Sequence, residues 1–214
     1  MKKVMALVAH ADDESLGAGG YISKLVATKH SVSVVIVSDG IVRARGKRQN
    51  NKKDVSAACK ILGVRDVHFL NFKDQKFDIY PIADIANEVS KTKLNPDLII
   101  THVETDLNKD HRIVTEVAKI VGRPKNKPIT ILGCEVPNTS SWNAEPFKAN
   151  FYVDISHTID KKIKAFSAYR NELMTFPHPW SEKGLRILAQ FRGMEAGCEY
   201  AEAYQVIRMF ESVQ

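Results

Sequence analysis

The apolar run Val4-Met5-Ala6-Leu7-Val8-Ala9 leads without a spacer into His10-Ala11-Asp12-Asp13-Glu14, and this junction constrains the fold more than any other stretch. A run this short that carries Val reads as a strand buried on both faces. One imidazole and three carboxylates then fall within five positions. Ending a buried strand in that much charge is unfavourable unless something compensates it. A divalent cation would do so, and imidazole nitrogen with carboxylate oxygen suits zinc or iron(II). His10 and Asp13 stand three apart, so on a helix they share a face and can reach one ion. Asp12 would point differently, beside the ion, where a general base for a bound water belongs. The plainer alternative is that Asp12 or Asp13 caps the following helix and Glu14 occupies its favourable first turn. Within this stretch both readings stand, since a metal site needs a further ligand from elsewhere.

The pattern that follows is α/β. Leu16, Tyr21, Ile22, Leu25 and Val26 have helical spacing over 16–28, and Gly17, Gly19 and Gly20 permit close packing on a sheet. Ser31–Ser38 is a β-branched strand, which completes a βαβ unit with a right-handed crossover. Helices are predicted over 51–62, 80–93, 110–121, 156–173 and 181–193, and further strands over 67–70, 98–102, 129–136, 151–155 and 204–210. The alternation implies a Rossmann-like three-layer sandwich, with a mainly parallel sheet and helices on both faces. No linker, repeat or low-complexity tract divides the chain, so a single domain over 1–214 is expected.

Composition narrows the class. With 214 residues, 44% hydrophobic and 26% charged, the chain has enough material for a substantial soluble core. No apolar run is long enough to span a bilayer, and the first one runs straight into charge, unlike a signal peptide. A cytoplasmic protein is the expectation. Cys59, Cys134 and Cys198 are scattered and odd in number, so they read as reduced core residues. The net charge of +6 is concentrated around Arg43, Arg45, Lys47, Arg48, Lys52 and Lys53. Aromatics do not interleave with this run, so no specific nucleic-acid partner is expected. It reads as a solvated loop, or as a clamp in which Arg43, Arg45 and Arg48 hold an anionic group of a ligand.

In parallel sheets ligands sit at the carboxyl ends of the strands. The His10 cluster lies at one such end, and Thr101-His102-Val103-Glu104-Thr105-Asp106-Leu107-Asn108-Lys109-Asp110-His111-Arg112 follows another. His10, Asp13 and His111 would form a two-histidine, one-carboxylate site with open positions, an arrangement that is catalytic rather than structural. Asp39, at the end of the second strand, is placed to bond a ligand hydroxyl or to form a turn. Glu135 and Asn138 follow a later strand and are candidate pocket residues. Trp142 and Trp180 could stack on a ring, although packing is the default for Trp.

These residues resemble the PIG-L (LmbE-like) zinc-dependent N-deacetylases, whose signature is a strand, a His-Pro-Asp-Asp-Glu motif and a downstream histidine in an Asp-His context. Here the first motif is His10-Ala11-Asp12-Asp13-Glu14, with alanine in place of proline, and the second is Asp106-Leu107-Asn108-Lys109-Asp110-His111-Arg112. The likeness continues in Glu135-Val136-Pro137-Asn138, His178-Pro179-Trp180-Ser181 and Tyr200-Ala201-Glu202-Ala203-Tyr204. The resemblance implies that His10, Asp13 and His111 bind zinc, with iron(II) as an alternative, and that Asp12 is the general base. It implies hydrolysis of an acetyl group from a small N-acetylglucosamine-type sugar or conjugate, by a protein that often forms homo-oligomers. Many members carry a histidine three positions before the last ligand, where it polarises the amide or protonates the amine. Here that position is Asn108, which can hydrogen-bond a substrate but cannot shuttle a proton. His178, between two prolines, is the candidate replacement.

Two other readings compete. One keeps the metal but hydrolyses another amide or a phosphoester; a two-metal phosphoesterase would need more ligands. The other is a non-catalytic nucleotide-binding Rossmann-like module. Gly17-Ala18-Gly19-Gly20 departs from GxGxxG, and the acidic cluster before it would repel a pyrophosphate.

Overall fold

A computed structural model describes residues 1–42, 48–125 and 127–210. The elements run β1 (Lys3–Val8), α1 (Asp13–Ala27), β2 (Ser31–Ser38), β3 (Ile41–Val42), β4 (Gln49–Asn50), α2 (Lys52–Leu62) and β5 (Asp66–Phe72). After a 3₁₀ turn (Phe77–Ile79) come α3 (Ile82–Lys91), β6 (Leu98–Thr101), α4 (Lys109–Val121) and β7 (Thr130–Cys134). The chain continues through β8 (Phe151–Asp154), α5 (Ile159–Phe166), α6 (Glu182–Ala196) and β9 (Ala201–Arg208).

Seven strands form one sheet in the order β5-β2-β1-β6-β7-β9-β8. The first five pair in parallel; β9 runs antiparallel to both β7 and β8. The central strand shows why the layers form. Val4, Ala6 and Val8 pack on one face with residues of α1, α2 and α5, while Met5, Leu7 and Ala9 pack on the other with residues of α3 and α4. A strand covered on both faces needs apolar residues at successive positions, which is what β1 supplies. Each of Val4, Met5, Leu7 and Val8 contributes about 1.5–3 kcal/mol by leaving water.

After β1 the chain builds outward through β2 and β5, then returns to lay β6 on the opposite side of β1. That reversal opens a crevice between the carboxyl ends of β1 and β6, the usual ligand position in such sheets. Close helix–sheet packing explains Gly20, since a Cβ there would stand 2.8 Å from Ile155. No helix among the described residues is long and apolar enough to cross a membrane.

Three elements differ from the sequence expectation. The helix predicted over 156–173 stops at Phe166, and turns follow. Tyr169 is drawn inside instead, fully buried, with its hydroxyl donating to Glu14 Oε1 at 2.7 Å. The last strand begins at Ala201, three residues earlier than predicted, because its first residues pair with β8. The short antiparallel pair β3–β4, at the two ends of the basic segment, was not foreseen.

Candidate metal centre

The turn between β1 and α1 sets the geometry. Asp12 adopts φ 114° and ψ −29°, a conformation rare for a residue with a side chain. Such strain costs on the order of 1–3 kcal/mol and persists only where neighbours over-determine it. Here Glu14 Oε2 accepts from the Asp12 N–H at 3.2 Å, while the Asp12 carbonyl accepts from Ser15 and Leu16 at 3.0 and 2.9 Å. Glu14 is itself held by Ser15 Oγ at 2.6 Å and Tyr169 Oη at 2.7 Å. Asp12 therefore occupies the helix start but makes no capping bond through its side chain.

Across the crevice, Asn108 caps α4 by accepting from the Asp110 N–H at 2.9 Å, which starts the helix one turn before His111. The two segments bring His10, Asp13 and His111 together in the interior. His10 Nδ1 lies 3.2 Å from His111 Nε2 and 3.5 Å from Asp13 Oδ2, and His111 Nε2 lies 3.4 Å from Asp13 Oδ2. Ligands at about 2.0–2.1 Å around a tetrahedral zinc stand about 3.3 Å apart. The three atoms match that spacing, so the residues present fit a divalent cation held on one face with the other left open.

Carboxylates back both histidines. Asp110 Oδ2 lies 3.1 Å from His10 Nε2, and Asp106 Oδ2 lies 3.2 Å from His111 Nδ1. Each acid is fixed in turn: Asp110 Oδ1 accepts from the Phe77 N–H at 3.1 Å, and Asp106 accepts from the Asn108 N–H at 2.8 Å and Thr139 Oγ1 at 3.0 Å. Such outer partners set ring orientation and raise ligand basicity at metal sites. Asp74, after β5, stands 3.6 Å from His10 Nε2. His102 stacks on His111 at 3.8 Å between centroids, and its Nε2 accepts from the Ala9 N–H at 2.9 Å.

Burial and charge act in opposite directions on these groups. Burial opposes ionisation of Asp13, yet His111, His102 and His10 hold its carboxyl well below the usual range. Burial likewise disfavours the charged form of His111, but Asp13 and Asp106 outweigh it and lift the imidazole to about 9. His10 is raised against its own burial by Asp110 and Asp13. His102, buried and next to His111, falls to about 3 and stays neutral. Asp12 shifts the other way from Asp13: burial, then the charges of Asp13, Glu172 and Glu14, push its proton affinity well up. Two adjacent aspartates thus have opposite tendencies, one suited to ligation and one to proton transfer.

The cluster opens into a small cleft of about 70 Å³ lined by His10, Asp12, Asp13, Asp74, Asn108, His111, Thr139, Glu172 and Trp180 among others. Of the other sequence candidates, Asn108 and Trp180 line this cleft. Asp39 Oδ1 accepts from the Ile41 N–H at 3.0 Å, a turn contact. Glu135 is gripped bidentately by Arg192 at 2.8 and 2.6 Å, in a separate crevice beside Gly17. Asn138 takes a positive φ of 80° and its carbonyl accepts from the Trp142 N–H, which positions Thr139 at the cleft. His178 lies between Trp142 and Trp180, and its Nδ1 accepts from the Trp180 N–H at 3.1 Å. Trp180 lines the cleft, whereas Trp142 is exposed. Arg48 is exposed, and Arg43 and Arg45 lie outside the described residues.

Sequence reasoning did not single out Asp74, His102, Asp106, Asp110 or Glu172. Asp106 and Asp110 were within reach, because both lie inside the second motif and flank His111. Asp74 follows another strand of the same sheet, which was a usable signal. Glu172 was hidden by the helix predicted across it.

The chain is similar to a known family and to several known proteins. A family model described as "PIG-L: GlcNAc-PI de-N-acetylase" matches residues 5–121, more than half of the chain. The diacetylchitobiose deacetylase of Thermococcus kodakarensis is 26% identical, over 97% of this chain and 84% of that protein. A probable N-acetyl-alpha-D-glucosaminyl L-malate deacetylase of Bacillus cereus is 26% identical, over 80% of this chain and 84% of its own length. Among solved structures, the 4-carboxy-2-hydroxymuconate hydratase GalB of Pseudomonas putida superposes with a TM-score of 0.79 at 21% identity, covering 100% of both chains.

Proposed function

The chain belongs to the PIG-L family, and from that premise we propose that it is a metal-dependent hydrolase that removes an acetyl group from the amide nitrogen of an N-acetylglucosamine-type sugar or sugar conjugate. Curated relatives named as sugar deacetylases support the substrate class. The fold does not decide the reaction, since a hydratase shares it. The reading therefore rests on the site. The observation that carries it is the tetrahedral spacing of His10 Nδ1, Asp13 Oδ2 and His111 Nε2, with the Asp12 carboxyl lining the same cleft.

His10, Asp13 and His111 would hold zinc or iron(II). Such an ion lowers the pKa of bound water towards about 7 and polarises a carbonyl. The chain's own groups do the rest. Asp12, with its raised proton affinity, accepts the proton of the attacking water. Glu14 and the Ser15 and Leu16 amides keep the Asp12 backbone in the conformation this needs. Asp106 and Asp110 hold the two imidazoles in place, so the ligand set is organised before substrate arrives. Trp180 and Asn108 form cleft walls against which the sugar is oriented.

Metal quantification on the purified protein, alongside an amine-release assay over N-acetylated sugars, nucleotide sugars and glycosides, tests this reading. The expected result is one metal per chain and release of free amine. A metal-loaded protein that releases no amine from any of these overturns it.

A further inference from the structure

His102 follows β6 directly and is fully buried, so substrate does not reach it. The ring nevertheless touches both halves of the cation cluster. One face stacks on His111, with centroids 3.8 Å apart and planes 14° from parallel. Its edge turns to the end of β1, where Nε2 accepts from the Ala9 N–H at 2.9 Å and stands 3.4 Å from Asp13 Oδ2. The next amide, that of His10, donates to the same Asp13 oxygen at 2.8 Å. Two successive N–H groups are thus fixed as the chain leaves β1, one by His102 and one by a candidate ligand.

The backbone that carries His102 is itself held. Thr101 pairs with Gly133 of β7, and a Cβ on Gly133 would stand 2.9 Å from the His102 carbonyl, so glycine there lets β7 lie this close. Beyond His102 the chain doubles back, with the Asp106 N–H donating to the Val103 carbonyl at 3.3 Å and Asp106 Oδ2 lying 3.2 Å from His111 Nδ1. His111 is therefore held on its ring face by His102 and at its edge by Asp106.

An imidazole at this position argues against simple space filling. Nε2 accepts from a backbone amide, so the neutral ring carries its proton on Nδ1. That nitrogen is buried and has no hydrogen-bond partner among the described residues. An unpaired buried donor costs stability, and a phenyl ring would fill the same space without it. What a phenyl ring lacks is the acceptor for Ala9. What an aliphatic amide lacks is the flat face for His111.

We propose that His102 is a positioning residue of the metal centre: it sets the span between the end of β1 and His111, and so the separation of the candidate ligands before a cation arrives. The assignment rests on the metal-binding part of the proposed function and not on the identity of the sugar. One rigid ring makes both contacts, so His10 and Asp13 cannot drift from His111 without disturbing either the stack or the amide bond.

The test loads wild type, His102→Phe and His102→Gln with zinc, in competition with a chelator of known affinity, and separately with cobalt(II), whose visible absorption reports coordination geometry. His102→Phe keeps the flat ring and loses the acceptor; His102→Gln keeps an acceptor and loses the flat face. Each is expected to bind zinc about 10–100-fold more weakly than wild type, with an altered cobalt(II) spectrum. In His102→Phe the thermal midpoint of the metal-free protein should stay close to that of wild type, because an unpaired Ala9 N–H replaces an unpaired Nδ1–H. A space-filling role predicts the reverse: a lowered midpoint, with the zinc affinity and cobalt(II) spectrum of the wild type. That result overturns the assignment, as does failure of both variants to fold. A wild type that takes up neither zinc nor cobalt(II) takes down the metal centre, and this assignment with it. A wild type that binds both, beside variants of undiminished affinity, takes down the His102 assignment alone.

Discussion

His10 Nε2 and Asp110 Oδ2 meet at 3.1 Å across 100 positions of sequence. The contact joins the turn after β1 to the first turn of α4 and leaves the opposite nitrogen, Nδ1, beside Asp13 and His111. Asp110→Ala is expected to weaken metal binding by about 10–100-fold, the usual loss when an outer carboxylate is removed. Competition with a chelator of known affinity measures this, and an unchanged affinity refutes the supporting role.

Asp12→Asn preserves shape but removes the proton acceptor. Turnover should fall by about 10²–10⁴-fold, with metal content at the wild-type level. Full turnover by a fully loaded variant would remove Asp12 from the mechanism.

His111→Ala deletes one corner of the ligand triangle. The purified variant should carry little metal, and its thermal midpoint should no longer respond to added zinc. For the wild type, free metal at 100 times Kd should stabilise the fold by about 2.7 kcal/mol. A His111→Ala protein that still takes up one metal per chain rejects this residue as a ligand.

Proton linkage should run in opposite directions with and without metal. His111 is raised from 6.5 to about 9 in the metal-free fold, and His10 is raised as well. A raised folded-state pKa stabilises the protein below the unfolded value, and the contribution is lost as pH rises through the folded value. Metal-free protein should therefore lose stability between about pH 6.5 and 9. Metal affinity should rise over that range, because the ion displaces protons from both imidazoles. Calorimetry in buffers of different ionisation enthalpy measures the release, and uptake without it contradicts the protonated resting state.

A buried ion pair anchors the helix that carries the site. Lys162 Nζ donates to Glu202 Oε1 at 2.6 Å and to the Leu16 carbonyl at 2.7 Å, while Glu202 also accepts from the Gly20 and Tyr21 amides, each at 2.8 Å. Glu202→Ala leaves the ammonium buried without its counter-charge and should cost about 3–5 kcal/mol. Urea unfolding measures the loss. A cost under about 1 kcal/mol would mean that water replaces the carboxylate.

Much of the architecture was written in local pattern. The apolar run of β1, the β-branched run of β2 and the helical spacing of α1 each report burial that a short window of residues can express. The charged groups at the ends of β1 and β6 were legible for the same reason, since a parallel sheet puts both ends on one edge. Where α5 stops is a different kind of fact. The residues after Phe166 keep helical spacing, but burying Tyr169 on Glu14, 155 positions away, outweighs a further turn of helix. That contact turns Glu172 into the cleft, and no local periodicity encodes it. The sequence by itself thus determined the layers and the chemical character of the two ligand-bearing loops, because these follow from periodicity and residue type. Only the tertiary structure decided which carboxylate backs which histidine and why Asp12 and Asp13 diverge in proton affinity. Those outcomes depend on distances between segments far apart in the chain, and on the low-dielectric interior that folding creates around them.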